Sequence, residues 1–389
     1  MPQLASYKEC TACMVCIDTC NHKAIDYCID EYGYYKISID AGKCVNCGLC
    51  EKKCPVLNKP ATTNSCSQPY AGWCSDAPLR SLSASGGIFA TIAKSVLDNK
   101  GVVYGAAIDG FEVKHIRIED VIDLHKIQGT KYQQSITKGI YKQVKKDLQS
   151  GRTVLFTGLS CQVNALYSFL GKTDTSNLFT IDTICGGIST MKPMMELSKS
   201  GNYTGIHSFR NKDNGWKSTG FKYCLKLYDK EKNIVLDNKE NLVIRTFCSP
   251  LFKRDSCMDC KFTGFSRIAD CTIGDFWGTD KFQDEHYNGL SSFIIHNERI
   301  LNLLSQSDIV YHKIDWDEIT KRNKNIFWTS YPRLRCLPSR FLAKFAIKHF
   351  KKSLISRLTR YDSWLNIDMR LYLRKVETLK QEFYKKNRP

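Results

Sequence analysis

Apolar and polar positions follow two different rhythms along this chain. In SGGIFATIAKSVLDNKGVVYGAAID, residues 85–109, Ile88, Ile92 and Val96 fall on one helical face. The pattern then stops at Gly101 and runs into an unbroken apolar stretch. Residues 137–185 repeat the alternation. TKGIYKQVKKDLQSG reads as a helix closed by Gly151, TVLFTG as a strand, SCQVNALYSFL as a helix and LFTIDTIC as a strand. Strands that are apolar throughout and alternate with helices predict an α/β domain with a mostly parallel sheet covered by helices. Two further stretches, AIDYCIDEYGYYKISID around Gly33 and FKYCLKLYDKEKNIVLD, alternate with period two and read as hairpins, the second within a β-rich insertion. After Trp328 the pattern becomes helical and basic.

At 389 residues, 42% hydrophobic and 25% charged, the chain has the composition of a soluble globular protein large enough for a main core and a small appended domain. No apolar run reaches the length of a membrane span. The opening MPQLASYKECTACMVC has no apolar signal-peptide core, which predicts a cytoplasmic setting. Nineteen cysteines in such a setting point to metal or cluster ligation rather than to disulfides. The formal charge of +18 is concentrated at one end: residues 340–389 carry a net +10, whereas residues 1–60 are neutral. A patch of this kind suits an anionic surface. Nucleic acid is not expected, because no nucleic-acid motif accompanies the charge.

The cysteines at the front are regularly spaced. CTACMVCIDTCN and CVNCGLCEKKCP are both C-x2-C-x2-C-x3-C, at Cys10, Cys13, Cys16, Cys20 and at Cys44, Cys47, Cys50, Cys54. Three thiolates at this spacing take three corners of a 4Fe–4S cube, and the fourth reaches across to the other cube. One cluster then has Cys10, Cys13, Cys16 and Cys54, and the other Cys44, Cys47, Cys50 and Cys20. Zinc sites use two ligand pairs with a longer spacer, which would leave a third cysteine in each run without a role. Residues 5–57 resemble a bacterial two-cluster ferredoxin, a small α+β fold. The second run ends in the usual Pro55, whereas the first has Asn21. Cys28 lies outside the pattern and reads as a small apolar residue.

NKPATTNSCSQPYAGW, residues 58–73, lacks periodicity and reads as a linker. In the α/β body, ligands gather at the carboxyl ends of the strands. Cys161 lies just past TVLFTG and Cys185 ends LFTIDTIC, so both belong at that rim. Ser85, Gly86 and Gly87 open a helix N-terminus that suits an anion, although an ordinary glycine turn has the same sequence. Cys257 and Cys260 form a Cys-x-x-Cys pair with no second pair near them in sequence.

SASGGIFATI, GTKYQQSI, VLFTGLSCQVNAL, DTICGGIS and CMDCKF…RIADCTIGDFWG resemble, in this order, the motifs of the beta-subunit family of coenzyme factor-420 (deazaflavin) hydrogenases and dehydrogenases. The resemblance covers roughly residues 70–335. It implies one FAD and a further 4Fe–4S cluster in the α/β body, making three clusters with the front pair. Its cluster ligands fall on Cys161, Cys185, Cys257 and Cys260; a quartet that replaces one upstream residue with Cys271 or Cys248 is the alternative. Its flavin contacts fall on Ser85, Gly86 and Gly87 and on Lys131, Tyr132 and Ser135, with a solvated surface lysine as the other reading of Lys131. Asp275 would orient the cluster loop or cap a helix. Outside that alternative, Cys224, Cys248, Cys271 and Cys336 fit no quartet and read as core or surface thiols, and Cys66 and Cys74 lie in or beside the linker with no partner motif.

The expected division is a ferredoxin domain at 1–58, a linker at 59–74, an FAD and 4Fe–4S oxidoreductase domain at 75–335 and a basic helical tail at 336–389. The corresponding function is an iron–sulfur flavoprotein oxidoreductase. It would exchange electrons with a ferredoxin-like donor and pass them to a small-molecule or lipid-linked acceptor. A sugar intermediate of polysaccharide synthesis and the deazaflavin coenzyme are both candidates. The alternative is an electron-transfer subunit that feeds a partner enzyme and has no substrate of its own. The tail, with Phe341, Phe345, Ile347, Leu354, Ile355 and Leu358 among Lys344, Lys348, Lys351, Lys352 and Arg357, reads either as a peripheral contact with an anionic membrane or as a helix packed on the body.

Overall fold

The structure is a computed structural model. It describes residues 1–360 apart from 63–66, 211, 213–214, 217–224, 229–232, 237–240, 278–280, 321–322, 324–325 and 327–337. Cys66, Cys224, Cys336 and the tail beyond residue 360 lie outside the described residues.

The front domain is small. Strands β1 (Ile25–Ile29) and β2 (Tyr35–Ile39) form the antiparallel hairpin expected around Gly33, whose φ of 80° a side chain would resist. Short helices Val15–Thr19 and Leu49–Lys52 follow the two cysteine loops. The loops are backbone copies of each other: Ala12 and Asn46 both have positive φ, as do Met14 and Gly48. The domain is built into the body. The Asp18 carboxylate accepts from the Gly139 N–H at 2.6 Å and the Tyr141 N–H at 3.0 Å, capping the helix Ile140–Gln149. Thr137, Tyr141 and Gln134 donate to the carbonyls of the first cysteine loop, and Arg254 donates to Cys10 O and Tyr35 O.

The body is centred on an eight-stranded sheet. Its strands are β3 (Gln68–Cys74), β4 (Val102–Asp109), β5 (Glu112–Ile118), β6 (Val154–Gly158), β7 (Leu178–Thr183), β11 (Cys271–Asp275), β12 (Ser291–Ile295) and β13 (Ile309–Lys313). The order is β13-β3-β12-β11-β7-β6-β4-β5. A separate three-stranded antiparallel sheet holds β8 (Gly205–Ser208), β9 (Leu225–Tyr228) and β10 (Asn233–Leu236), the last two being the expected hairpin. The helix Ile88–Asp98 covers one face of the main sheet through Ile88, Ile92 and Val96. The helices Ile140–Gln149 and Ser160–Leu170 cover the other, where Cys13 and Val15 of the front domain join the core.

The α/β reading holds, and the sheet is mixed. β11, β7, β6 and β4 form a parallel centre, while β5 on one side and β12, β3 and β13 on the other pair antiparallel. Parallel pairing needs a crossover. The helix Ser160–Leu170 supplies one between β6 and β7, whereas β4 and β5 are joined by a tight turn at Gly110. One expected boundary needs correction. Part of the stretch read as linker, Gln68–Cys74, is β3, between β12 and β13. Its pattern misled because Pro69 and Gly72 look like loop residues; Gly72 is there because a Cβ would meet the Val310 carbonyl at 2.6 Å.

The basic tail begins as two helices, Pro338–Lys348 and Lys352–Arg360. Ala343, Ala346, Ile347 and Ile355 pack on Leu251 and Phe252, while Phe341 and Phe345 stay exposed. Arg340, 2% exposed, donates to Leu251 O, Lys253 O and, at 2.9 Å, to Asp255 Oδ1. Lys344 bonds Asp255 Oδ2 at 2.7 Å, and Lys348 pairs with Glu31 at 2.8 Å. Among the described residues, no helix is long and apolar enough to cross a membrane.

Removing one partner of a buried ion pair leaves an uncompensated charge, so Arg340→Met is expected to destabilise the chain by about 3–5 kcal/mol in chemical denaturation. Burial would raise the Asp255 carboxyl, but Lys344 and Arg340 outweigh it and hold the group below its ordinary value. A depressed carboxylate stabilises above its unfolded pKa. The stability gap between the parent chain and Asp255→Asn is therefore expected to shrink as pH falls below about 4.

Candidate cofactor site

The parallel centre of the sheet creates the site. Gly158 of β6 stands opposite Asp182 of β7, and Cys161 and Cys185 each follow three residues later. Cys161 lies in the first turn of the helix Ser160–Leu170, and Cys185 in the loop after β7. The short 3-10 helix Asp255–Asp259 carries Cys257 to the same place, with Cys260 just beyond it. Burial pushes the Cys161 thiol well up, and charge on Cys260, Cys13, Cys185 or Cys257 would push it further. Cys185 is pushed up to about 12, first by burial and then by Cys257. Four thiols gathered this closely are poor neighbours as free thiolates. They are good ones around a positive metal centre, which deprotonates the thiols it binds.

Backbone N–H groups turn toward these sulfurs. Gly187 N–H lies 3.3 Å from Cys185 Sγ, and Ile188 N–H 3.3 Å from Cys257 Sγ. Gly187 has φ 89°, and a Cβ there would come within 3.1 Å of Cys257 Cβ. Among the described residues, no three His, Cys, Asp or Glu side chains close on a point as tightly as one metal ion requires. A 4Fe–4S cube holds its thiolates at separate corners, which is a wider arrangement.

The front cysteines lie next to this group. The Cys13 thiol is pushed up to about 12 by burial, then by Cys10 and Cys54. Cys16 is raised by burial and then by Cys13, Cys10, Cys54 and Cys50. Cys10, Cys13, Cys16 and Cys54 are thus brought together. Cys20 packs beside Cys50, with Cys44 and Cys47 on the loop that leads to it. Ala12 N–H to Cys10 Sγ and Ala24 N–H to Cys20 Sγ, both 3.4 Å, repeat the N–H···S contacts of the body. Cys54 shares an apolar cluster with Cys161 and Cys260, so two of the groups adjoin.

On the other side of Cys185 lies a cavity of about 600 Å³, well within the range of cofactor pockets. Its walls are the carboxyl ends of β6, β7 and β11 and the N-terminus of the helix Ile88–Asp98, which no side chain caps. Ser85, Gly87, Lys131, Tyr132 and Ser135 all line it. Lys131 is half-buried; its Nζ donates to Gln128 O at 2.6 Å and Gly129 O at 3.2 Å, and burial lowers its pKa to about 7. Gly86 does not line the cavity. Its N–H donates to Ser291 Oγ at 2.9 Å, and a Cβ would meet Gly72 O at 2.6 Å; it lets the turn approach β3.

Several lining residues carried no signal in the sequence. Lys253 is buried, donates to Gly187 O at 3.1 Å and lies 4.0 Å above the Phe247 ring; burial lowers its pKa to about 8. Arg210 bonds Asp275 at 3.0 and 3.1 Å, so Asp275 holds an arginine at the cavity rather than a helix end or the cluster loop. His115 is kept neutral by burial, with a pKa of about 4. Its Nε2–H donates to Thr157 O, and its Nδ1 is buried with no partner among the described residues. An orphaned acceptor and several buried cations fit an anionic ligand that carries polar hydrogens. Cys248 lies on the cavity wall, whereas Cys271 points into the apolar core with Ile92 and Ile181. Cys74 is buried and Cys28 exposed.

Residues 151–317 match the family model for the C-terminal part of the "Coenzyme F420 hydrogenase/dehydrogenase, beta subunit". Over those residues the chain is similar to that family. Residues 9–58 match a "4Fe-4S dicluster domain". A chain in a structure of the F420-reducing [NiFe] hydrogenase complex from Methanosarcina barkeri is similar at 16% identity and a TM-score of 0.44, covering 74% of this chain and 90% of that one. The comparison with curated proteins gave no match. The chain thus joins a segment similar to iron–sulfur dicluster domains to one similar to the beta-subunit family.

Replacing Cys161, Cys185, Cys257 or Cys260 by Ser is expected to remove about four iron atoms per chain and leave the front clusters intact, as read by anaerobic iron analysis and EPR. Cys271→Ser and Cys248→Ser should keep full iron. Loss in Cys271→Ser together with full iron in Cys161→Ser would overturn the quartet.

Proposed function

We propose that the chain is an iron–sulfur flavoprotein oxidoreductase that takes electrons from a ferredoxin-like donor and delivers them to an organic acceptor. The observation that carries this reading is the succession of thiols across the molecule: Cys16 and Cys50 share one apolar cluster, Cys54, Cys161 and Cys260 the next, and Cys185 forms part of the cavity wall. When bound, three 4Fe–4S clusters supply one-electron relays and FAD the two-electron carrier.

The chain's own residues supply the rest. Ser85, Gly87 and the uncapped helix N-terminus would receive the diphosphate, with Lys131 as its counter-charge. Tyr132, Ser135 and His115 would hold the rest of the flavin, and Lys253, which bonds Gly187 O, would supply a cation beside it, where charge tunes a flavin. The acceptor is a small molecule, a sugar or lipid-linked sugar intermediate or the deazaflavin coenzyme itself.

Protein purified without oxygen is expected to carry about 12 iron atoms and one flavin per chain. Stoichiometric zinc with little iron would overturn the reading. Anaerobic turnover with reduced viologen and sugar or deazaflavin acceptors tests the activity; cluster and flavin reduction without turnover of any acceptor would make the chain a relay for a partner enzyme. The pH dependence follows from Lys131, which is protonated below about 7 in the ligand-free chain. FAD affinity is expected to fall about tenfold between pH 6 and pH 8. In Lys131→Met it should be weaker throughout and flat over that range, as measured by flavin fluorescence titration.

A further inference from the structure

The eight front cysteines stand at different depths. Cys13, Cys16, Cys50 and Cys54 are buried, Cys10, Cys20 and Cys44 are half-buried, and Cys47 is exposed. Cys47 lies in the loop between Cys44 and Leu49, in which Val45 is 56% and Leu49 43% exposed. Two solvent-facing apolar side chains therefore bracket the front thiol that water reaches. Asn46 at φ 58° and Gly48 at φ 71° hold the loop in this shape. Electron transfer weakens steeply with distance, so a carrier arriving from solution exchanges fastest where a ligand thiol reaches the surface.

The surroundings of this tip are basic. Lys52 is exposed at the end of the helix Leu49–Lys52, and its charge and that of Lys145 both act on Lys53, so these ammonium groups lie close together. Lys145 and Lys172 line a shallow groove of about 440 Å³, with Asp174 as the acidic group among its described lining. Asp40 pairs with Lys43, and the Glu51 carboxylate accepts the Gln3 N–H. Lys43, Lys52, Lys53, Lys145 and Lys172 outnumber Asp40, Glu51 and Asp174, so the apolar tip has a small excess of positive charge beside it. Transient redox partners dock through small interfaces of this kind, with charge setting the encounter rate and orientation.

We infer that Val45, Cys47 and Leu49, flanked by Lys52, Lys145 and Lys172, form the docking face for a small acidic iron–sulfur electron carrier. The inference rests on the reading of Cys44, Cys47, Cys50 and Cys20 as the ligands of one cluster. The exchange moves a single electron: the carrier is oxidised by one, the chain is reduced by one, and no bond is made or broken. The body's flavin cavity lies on the far side of the Cys161 group, so electrons enter at one end of the thiol run and leave at the other.

The test uses anaerobic holoprotein and an acidic two-cluster ferredoxin as the probe. Binding is measured by surface plasmon resonance and reduction by stopped-flow absorbance. The parent chain is expected to bind weakly and to lose about tenfold in association rate between low and high salt. Lys52→Glu/Lys145→Glu and, separately, Val45→Glu are each expected to weaken binding and slow reduction by ferredoxin about tenfold. Iron content and reduction by dithionite should not change. Unchanged binding and ferredoxin rates in both variants would overturn the inference, as would an equal loss in Lys351→Glu/Lys352→Glu on the tail. Iron content in Cys47→Ser is the separate check on the ligand reading. Full iron in that variant would remove the premise, while lost iron with unaffected docking variants would leave the ligands standing and sink the docking face.

Discussion

The candidate chemistry depends on the pairing of β6 with β7. Because Gly158 stands opposite Asp182 in a parallel pair, the two chains leave the sheet side by side and in the same direction. The residues three positions on, Cys161 and Cys185, therefore arrive together. In an antiparallel pair those two positions would leave from opposite ends of the sheet. The loop holding Cys257 and Cys260 completes the group, anchored by Arg254, Lys253 and the Asp255 clasp with Arg340 and Lys344. A buried basic residue of the tail thus supports the segment that presents two thiols, and tail and site are one construction.

The same pairing explains why the front domain is fixed to the body. A relay works only if its stations keep their distances, and the interface is built accordingly. The Asp18 carboxylate caps a body helix, Tyr141 and Thr137 hold the Cys13 carbonyl, and Cys54 packs with Cys161 and Cys260. These are buried, directional contacts that leave little room for sliding. They also divide the front cysteines into an inward set, facing the body, and an outward loop around Cys47. The front cysteines thus differ in burial from the body side outward.

Across the Cys161 group, the cavity collects positive charge from three separate segments: half-buried Lys131, Arg210 and buried Lys253. Asp275 offsets the second, while Lys131 is held by the Gln128 and Gly129 carbonyls and is pushed toward neutrality. A lysine of that kind is costly when empty and favourable when an anion arrives. It therefore ties ligand affinity to pH.

The sequence determined the parts of this protein that are local. The front cysteine runs were legible because cluster ligation imposes a fixed spacing within a few residues, and the helix Ile88–Asp98 and strands β4, β6 and β7 because burial imposes periodicity. Cys161 and Cys185 could be placed at a strand-end rim for the same reason. Tertiary structure decided what depends on distant segments meeting. β3 was hidden because Pro69 and Gly72 look like loop residues in one dimension, whereas Gly72 is required by the close approach of the Val310 carbonyl on β13. Gly86 was mistaken for a ligand contact because the strand it must approach, and Ser291, which takes its N–H, lie far away in the chain. Lys253, Arg210 and His115 had no motif to announce them, since a lone cation or imidazole acquires its role only from the burial around it. The mixed sheet arose likewise: antiparallel β5 follows β4 through a short turn at Gly110, which periodicity does not distinguish from the end of a parallel strand. Spacing along the chain is written in the sequence; burial, and with it charge state and direction, exists only once the chain has folded.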